Sequence, residues 1–244
     1  MNIKITISFL FCILTLTSCS SSDHNKSIEE GMLLTLDDVL FDKQTGTITG
    51  YVADYKNIVI PDNFSGVPVN SIGKVAFYEH DLTRVIIPNS VNRIDELAFS
   101  NNQLTNIIIP NSVTYLGKYA FAQNALTHIT ISNSITTLEE AVFSHNALTT
   151  VVIPNSVLSI GKSAFSNNEL IRFNLPNSVT SIDKYAFYQN AIISVHIPDS
   201  LTKINEFAFT RNSLTRVRVS YLLYRSLNKS DELVFDEGVS IKNW

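Results

Sequence analysis

Histidine is the residue type in this chain best suited to acid–base or metal chemistry, and its five copies are scattered. They stand at positions 24, 80, 128, 145 and 196. The sequence contains no pattern typical of a nucleophile with its base, of a phosphate-binding loop or of a metal site. We therefore predict no catalytic centre, no cofactor and no metal ion, and we look for function in a binding surface.

The second chemically distinctive residue is Cys19, because of what precedes it. Residues 1–18 have a lysine near their start, at Lys4, continue as a mostly apolar run and end in small residues, which is typical of a secretory signal. The apolar run is shorter than the about 20 residues that cross a membrane. The ending Leu16-Thr17-Ser18-Cys19 resembles the lipobox of bacterial lipoproteins. That resemblance implies cleavage before Cys19, a lipid on its thiol, and a flexible tether over residues 19–32. The alternative is an ordinary secreted protein whose Cys19 belongs to the discarded signal.

Most of the chain consists of a 22-residue repeat, and any binding surface must be built on this repeat. One apolar position returns in seven copies without insertion or deletion: Leu82, Leu104, Leu126, Leu148, Leu170, Ile192 and Leu214. A fixed period in this range is typical of a solenoid, in which each repeat packs only on its neighbours. The sequence therefore predicts a repetitive core over residues 82–219.

Each repeat begins with a short strand whose faces differ in character. Val85 and Ile87 recur as apolar residues in every copy, so they face the core, whereas Arg84 and Ile86 face outward. The outward positions vary, and they become basic toward the carboxyl end. The predicted ligand-binding residues are Arg84, Asn106, His128, Arg172, Asn174, His196, Arg216 and Arg218. The alternative is that these residues are simply solvated strand surface.

Later positions of the repeat predict how the coil turns and packs. An Ala-Phe pair recurs and predicts a stacked aromatic spine through Phe121 and Phe143. Gly, Asp or Asn mostly occupy the position of Asp95. These residues tolerate positive φ or cap helices, so the sequence predicts a sharp backbone change there. An asparagine column that includes Asn102 closes the units. We interpret that column as bonding the turning backbone, with a ladder of ligand contacts as the alternative.

The recurring Leu-Thr-x-Ile-x-Ile-Pro-Asn-Ser-Val-x-x-Ile-Gly-x-x-Ala-Phe pattern resembles the BspA-like leucine-rich repeats of bacterial surface proteins, also called the Treponema pallidum type. The resemblance covers residues 58–219 and implies a leucine-rich-repeat superhelix with one short parallel strand per repeat. Residues 33–81 predict an amino-terminal cap with a β-hairpin and a degenerate first repeat. Residues 220–244 predict a small carboxyl-terminal cap with a short helix.

Composition and the resemblance together define the expected function. The formal net charge of −4 gives no general attraction for nucleic acid or for an anionic membrane. The resemblance implies adhesion, so we expect a non-catalytic recognition protein that is lipid-anchored in a bacterial envelope, at the outer membrane or cell surface. The expected partner is a protein, such as a host matrix or bacterial surface protein, or an acidic glycan. The alternative is a periplasm-facing scaffold for other envelope proteins, and an enzyme is the least favoured class.

Overall fold

The computed structural model describes residues 31–227 and 233–243. The predicted signal over residues 1–18, Cys19, most of the predicted tether and Trp244 lie outside the described residues. The elements of the described residues are β1 (Met32–Leu33), β2 (Val39–Asp42), β3 (Thr47–Tyr51), β4 (Asn57–Val59), β5 (Asn63–Phe64), β6 (Val67–Pro68), β7 (Ser71–Ile72), β8 (Arg84–Ile86), β9 (Arg93–Ile94), β10 (Asn106–Ile108), β11 (Tyr115–Leu116), β12 (His128–Thr130), β13 (Thr137–Leu138), β14 (Ser159–Ile160), β15 (Arg172–Asn174), β16 (Ser181–Ile182), β17 (Ser194–His196), β18 (Lys203–Ile204), β19 (Arg216–Val219), α1 (Tyr221–Leu227) and β20 (Ser240–Asn243).

Strands at the start of successive repeats form one side of a solenoid, which we call the front ladder. It consists of β1, β4, β8, β10, β12, β15, β17, β19 and β20, and its hydrogen-bonded pairs are all parallel. Ile107 pairs with Ile129, which is one repeat later, and Phe173 pairs with Val195 in the same way. The predicted solenoid is confirmed, with a parallel front strand in each repeat except the one where residues 150–152 form no strand.

A second, shorter strand in each repeat forms a second ladder, which was not predicted from the sequence. Its members are the two-residue strands β7, β9, β11, β13, β14, β16 and β18, again parallel and one repeat apart. Each ends in a buried apolar residue, such as Ile94 or Leu116. Because these strands are only two residues long, alternation within them gives a weak sequence signal.

The third side of each coil is a turn that is also hydrogen-bonded from coil to coil. The N–H groups of Leu97, Phe99 and Asn101 donate to carbonyl oxygens of the next coil, those of Lys118, Ala120 and Ala122, at 2.9, 2.8 and 3.0 Å. Leu97 and Asn101 have φ of +60° and +57°, and their counterparts in the other repeats are also left-handed. The sharp backbone change is predicted at Asp95, which itself has no positive φ. The turn does begin there, but the left-handed residues lie two and six positions later.

The aromatic spine predicted from the Ala-Phe pairs is confirmed. Rings from Phe77 to Phe209 are fully buried and stack one per coil, with neighbouring centroids 5.1–5.9 Å apart and ring planes within 18°. Tyr51 packs on the first ring at 5.2 Å, and Phe235 stacks on the last at 5.5 Å. Burial raises the pKa of Tyr51 to about 12, and its phenol donates a hydrogen bond to the carbonyl of Tyr55.

The asparagine column satisfies backbone groups inside the solenoid, as interpreted from the sequence. Asn146 Nδ2 donates to the carbonyl oxygens of Phe121, Phe143 and Ser144 at 3.0–3.2 Å. Its Oδ1 accepts the N–H of Leu126 at 3.0 Å. Both ends of the amide are therefore engaged by two successive coils, which leaves the side chain unsuited to binding a ligand.

Both predicted caps are present. Strands β2 and β3 form an antiparallel hairpin, and β3 then pairs in parallel with β7 at the end of the second ladder. At the other end, α1 follows β19 directly, and Val234 and Phe235 are buried against the last coil. Strand β20 then pairs in parallel with β19 and extends the front ladder by one more rung. Edge groups that would otherwise be unpaired are thus covered at this end.

Candidate recognition surface

The front ladder aligns its outward side chains in two columns, because alternate residues of a strand face opposite sides. The first outward column begins at the half-buried Asn57 and continues with Arg84, Asn106, His128, Thr150, Arg172, Ser194, Arg216 and Ser240. The second outward column contains Leu33, Val59, Ile86, Ile108, Thr130, Val152, Asn174, His196, Arg218 and Lys242. The residues between them, such as Val85 and Ile107, are buried, so the predicted facing of the strand is confirmed. Over the described strands, neither column contains a carboxylate.

All eight residues predicted to bind a ligand are exposed on this face. The structure brings the carboxyl-terminal ones together: Arg172 pairs with Ser194, and Asn174 pairs with His196 on the next strand. Arg216 and Arg218 lie on β19, one repeat further along. Three of the predicted residues lie away from this group, at the amino-terminal end or in the middle of the ladder: Arg84, Asn106 and His128.

A shallow cavity of about 510 Å³ lies on the face where the ladder is interrupted. Residues 150–152 form no strand, although they occupy the same position in the repeat. The cavity walls include Thr150, Val152, Arg172, Asn174 and His196. Three predicted binding residues therefore border one concavity, beside an aliphatic side chain.

The basic end of the face extends beyond the residues predicted from the sequence. Strand β20 pairs with β19 so that Lys242 lies next to Arg218, and Lys242 is exposed. The sequence analysis assigned this segment only to the cap and missed Lys242. A signal was available, because Ser240-Ile241-Lys242 repeats the polar-apolar-basic order of Ser194-Val195-His196.

The amino-terminal half of the second outward column is apolar and accessible. Leu33, Ile108 and Val152 are 57%, 68% and 80% exposed. Leu33 joins the column because it pairs with Val59, which in turn pairs with Ile86. The face thus changes along its length from aliphatic to basic. Interaction sites combine accessible apolar area with a polar rim in this way.

Three glutamates on another side of the coil form ion pairs between neighbouring coils. Glu96, Glu140 and Glu206 follow the second ladder, and each forms ion pairs with lysines one coil away, at 2.7–3.2 Å. The hydrogen bond from Lys162 is the largest cause that lowers the pKa of the Glu140 carboxyl. The Glu140 carboxylate therefore stays charged at neutral pH, and its neighbouring lysines partly neutralise it.

Residues 31–227 and 233–243 contain no group of three or more histidines, cysteines or acids arranged to hold a metal ion. In the same part of the chain, no helix has the length and apolar character required to cross a bilayer.

A comparison with models of protein families shows which family this chain belongs to. The model of the BspA type leucine-rich repeat region matches residues 48–171 and 137–243, in six copies. The chain belongs to the BspA-type leucine-rich repeat family. No curated protein matches this family member.

Solved structures of bacterial repeat proteins are similar to this BspA-type chain. A leucine-rich cell surface protein from Faecalibacterium prausnitzii is 30% identical, with a TM-score of 0.65 over 74% of this chain and 52% of that one. This chain therefore spans about half the length of the Faecalibacterium protein. A leucine-rich repeat protein from Bacteroides ovatus is 19% identical, with a TM-score of 0.45 over 87% of this chain and 71% of that one. The leucine-rich repeat protein of T. pallidum is 18% identical, with a TM-score of 0.41 over 85% and 99% of the two chains.

Proposed function

We propose that this protein is a non-catalytic recognition module that binds a macromolecular partner through the outward face of its front ladder. The supporting observation is the composition of the two outward columns, which are exposed, without carboxylates, aliphatic at one end and basic at the other. Because parallel strands fix the backbone of this face one repeat apart, little backbone entropy is lost when a partner binds. Family membership and the likeness to a leucine-rich cell surface protein also support an adhesive role.

The proposed partner is a protein with an acidic patch beside an apolar one, and an acidic glycan is the alternative ligand of the basic end. Arg172, Arg216, Arg218 and Lys242 would attract the acidic part. Cationic side chains at the rim of an interface mainly raise the association rate, and this contribution weakens with added salt. The aliphatic side chains of Ile108 and Val152 would contribute the apolar contact.

A triple variant tests the basic end of the face. Arg172→Ala, Arg216→Ala and Arg218→Ala together remove three positive charges from the front ladder. The matched control removes three exposed charges elsewhere, by Lys43→Ala, Lys203→Ala and Arg225→Ala. We expect the first variant to bind immobilised matrix proteins or heparin at least about tenfold more weakly, and the control to bind as the wild type does. Equal binding by both variants and the wild type would remove the basic end from the proposal.

We also propose that the module is lipid-anchored through Cys19 in a bacterial envelope and faces outward. A labelled fatty acid fed to producing cells should enter the wild type and not Cys19→Ser. Protease added to intact cells should then degrade the wild type. Full protection from protease would contradict surface exposure and favour the periplasm-facing scaffold. Absence of label in the wild type would favour an ordinary secreted protein.

A further inference from the structure

A groove lies on the turn side of the coils, away from the front ladder. Its volume is about 580 Å³, within the range of sites for small ligands. We call it the turn groove, and the residues that define it are Tyr78, Tyr119, Ala141, Ser163, Tyr185 and Tyr188. Four of the nine tyrosines of the chain thus line one depression.

The groove exists because small residues interrupt two columns of larger ones. In the column of Leu97, successive coils present Tyr119, Ala141, Ser163 and Tyr185. In the column of Tyr78, four small residues follow before the next tyrosine, in the order Ser100, Ala122, Ser144, Ser166 and then Tyr188. Ala141 and Ser144 are each only 3% exposed, so they form a floor. Tyrosines therefore stand at both ends of a trough that is several coils long.

The tyrosine rings at the ends of the groove are held in place by neighbours. Tyr185 stacks on Phe207 with centroids 5.1 Å apart, and it meets Tyr188 edge-on at 5.4 Å. At the other end, the Tyr119 hydroxyl donates a hydrogen bond to Glu140 Oε1 at 3.3 Å. Tyr119 remains 37% exposed to solvent. Each end of the trough thus offers a fixed aromatic side chain, partly exposed, with a hydroxyl group.

The sides of the groove are polar, with little net charge. Glu140 is held between Lys118 and Lys162 at 3.2 and 3.1 Å. Further along, the Asn167 amide lies 3.3 Å from His145 Nε2. Amide, hydroxyl and imidazole groups both donate and accept hydrogen bonds. The lining is therefore suited to a ligand that has many hydroxyl groups and no strong charge.

We propose that the turn groove binds a neutral oligosaccharide chain. A pyranose ring has an apolar face of C–H groups, which packs on tyrosine, and a rim of hydroxyl groups, which bonds to amides and carboxylates. The coils repeat about every 4.8 Å, close to the advance of a glycan chain per sugar. This site is independent of the front ladder, so the protein would have a glycan site on one side and its macromolecular partner on another.

The experiment is calorimetric titration of the purified protein with neutral hexasaccharides of glucose, xylose, mannose and N-acetylglucosamine. At least one should bind with micromolar to millimolar affinity. Tyr119→Ala and Tyr185→Ala should each weaken that binding about tenfold, because each removes one aromatic platform. Tyr221→Ala serves as the matched control, since Tyr221 is exposed on α1, and it should leave the affinity unchanged.

A filling variant distinguishes loss of the groove from loss of folding. Ser163→Tyr introduces the residue that two other coils have at this position, Tyr119 and Tyr185, with φ of 56° at Ser163 and 60° at both tyrosines. The backbone therefore already has the required conformation. We expect an unchanged unfolding midpoint and no glycan binding. Absence of binding by every hexasaccharide at millimolar concentration, or undiminished binding by Ser163→Tyr, would overturn the proposal. Binding of an acidic heparin hexasaccharide or of a peptide in this groove, without any neutral sugar, would also overturn it.

Discussion

At the scale of single residues, the solenoid depends on side chains that replace missing backbone partners. Each asparagine of the internal column makes bonds with two successive coils, as described for Asn146. If the asparagine side chain is removed, the backbone groups that it bonded are left unsatisfied. Each buried unsatisfied group destabilises the folded state by about 1–3 kcal/mol. The column therefore explains why asparagine recurs at this place rather than another polar residue: it supplies donors and an acceptor together.

Asn146→Ala should lower the free energy of unfolding by about 2–4 kcal/mol, because several carbonyl groups and the Leu126 N–H lose their partner. Urea unfolding monitored by circular dichroism measures the change. Asn92→Ala is the matched control: Asn92 is exposed, and we expect its replacement to change stability by less than about 0.5 kcal/mol. Equal effects of the two substitutions would refute the structural role of the column.

The left-handed residues of the turn have a cost that substitution should reveal. Gln189 is exposed and has φ of 54°. A non-glycine residue in this conformation costs about 1–2 kcal/mol, whereas glycine has no such penalty. Glycine also loses more conformational entropy on folding, which offsets part of this gain. On balance, Gln189→Gly should raise the free energy of unfolding by about 0.5–1 kcal/mol.

Gln103→Gly provides the opposite case, because Gln103 is exposed but not left-handed. Its replacement should lower stability by about 0.5–1 kcal/mol. Thermal unfolding of the two variants measures both changes. A higher midpoint for Gln189→Gly and a lower one for Gln103→Gly would support the assigned cost of the left-handed backbone. A loss of stability in both would show that the turn gains nothing from glycine.

At the scale of elements, some features could be predicted from the sequence and others could not. The front-ladder strands and the spine were predictable because their apolar residues recur at the same places in every copy. The second ladder has strands of two residues, such as Tyr115–Leu116, which are too short for alternation to indicate. The left-handed column of Leu97, Tyr119 and Ala141 was missed because these residue types do not usually adopt positive φ. The column of Asn101 includes asparagine and histidine, which adopt it more often, but glutamine and arginine occupy the same place in other coils, so the signal is mixed. Neither set of left-handed residues follows from residue type alone. They are imposed by hydrogen bonds between coils, which a local pattern does not reveal.

The candidate surface was predictable to a similar extent. The outward residues of β15 and β17 follow from alternation within the strand, and their pairing follows from the period. Lys242 was missed because only the paired strands β19 and β20 place it beside Arg218. The turn groove was missed because it depends on small residues spaced one coil apart, and only the stacked structure shows that Ala141 and Ser163 form a gap.

Ion pairs between neighbouring coils should make stability depend on pH. The lowered pKa of Glu140, caused first by its hydrogen bond from Lys162, means that the folded state favours the charged carboxylate. The stabilisation is present above the ordinary pKa of about 4.5 and is lost as the pH falls through the lower folded value. Glu140→Gln should therefore lower the unfolding free energy by about 0.5–1 kcal/mol at neutral pH. Near pH 3 the variant and the wild type should converge.

Urea titrations of both proteins at several pH values and salt concentrations measure this difference. High salt should reduce it at neutral pH, since the pair is at the surface. A difference that grows toward acidic pH would contradict the assignment of the charged form to the folded state.

At the scale of the whole molecule, uniform coils make the length of the array adjustable and its register strict. In the regular repeats, the paired strand residues and the stacked rings of the spine occupy equivalent positions one repeat apart, as Ile107 and Ile129 do. Stability is then approximately a sum of repeat and neighbour terms. Removal of one complete unit preserves every type of contact, whereas removal of any other number of residues does not.

Deletion of residues 105–126 joins Leu104 to Thr127 and removes one 22-residue unit. We expect the product to unfold cooperatively at a lower midpoint than the full chain, because one coil of buried side chains is gone. Deletion of residues 105–125 is the matched control. It is one residue out of register, so outward and inward side chains of the next strand exchange places. That product should lose the cooperative transition or unfold at a far lower urea concentration. Similar midpoints for the two deletions would mean that the coils do not depend on a strict period, and the stacked core with its asparagine column could not then be the source of stability.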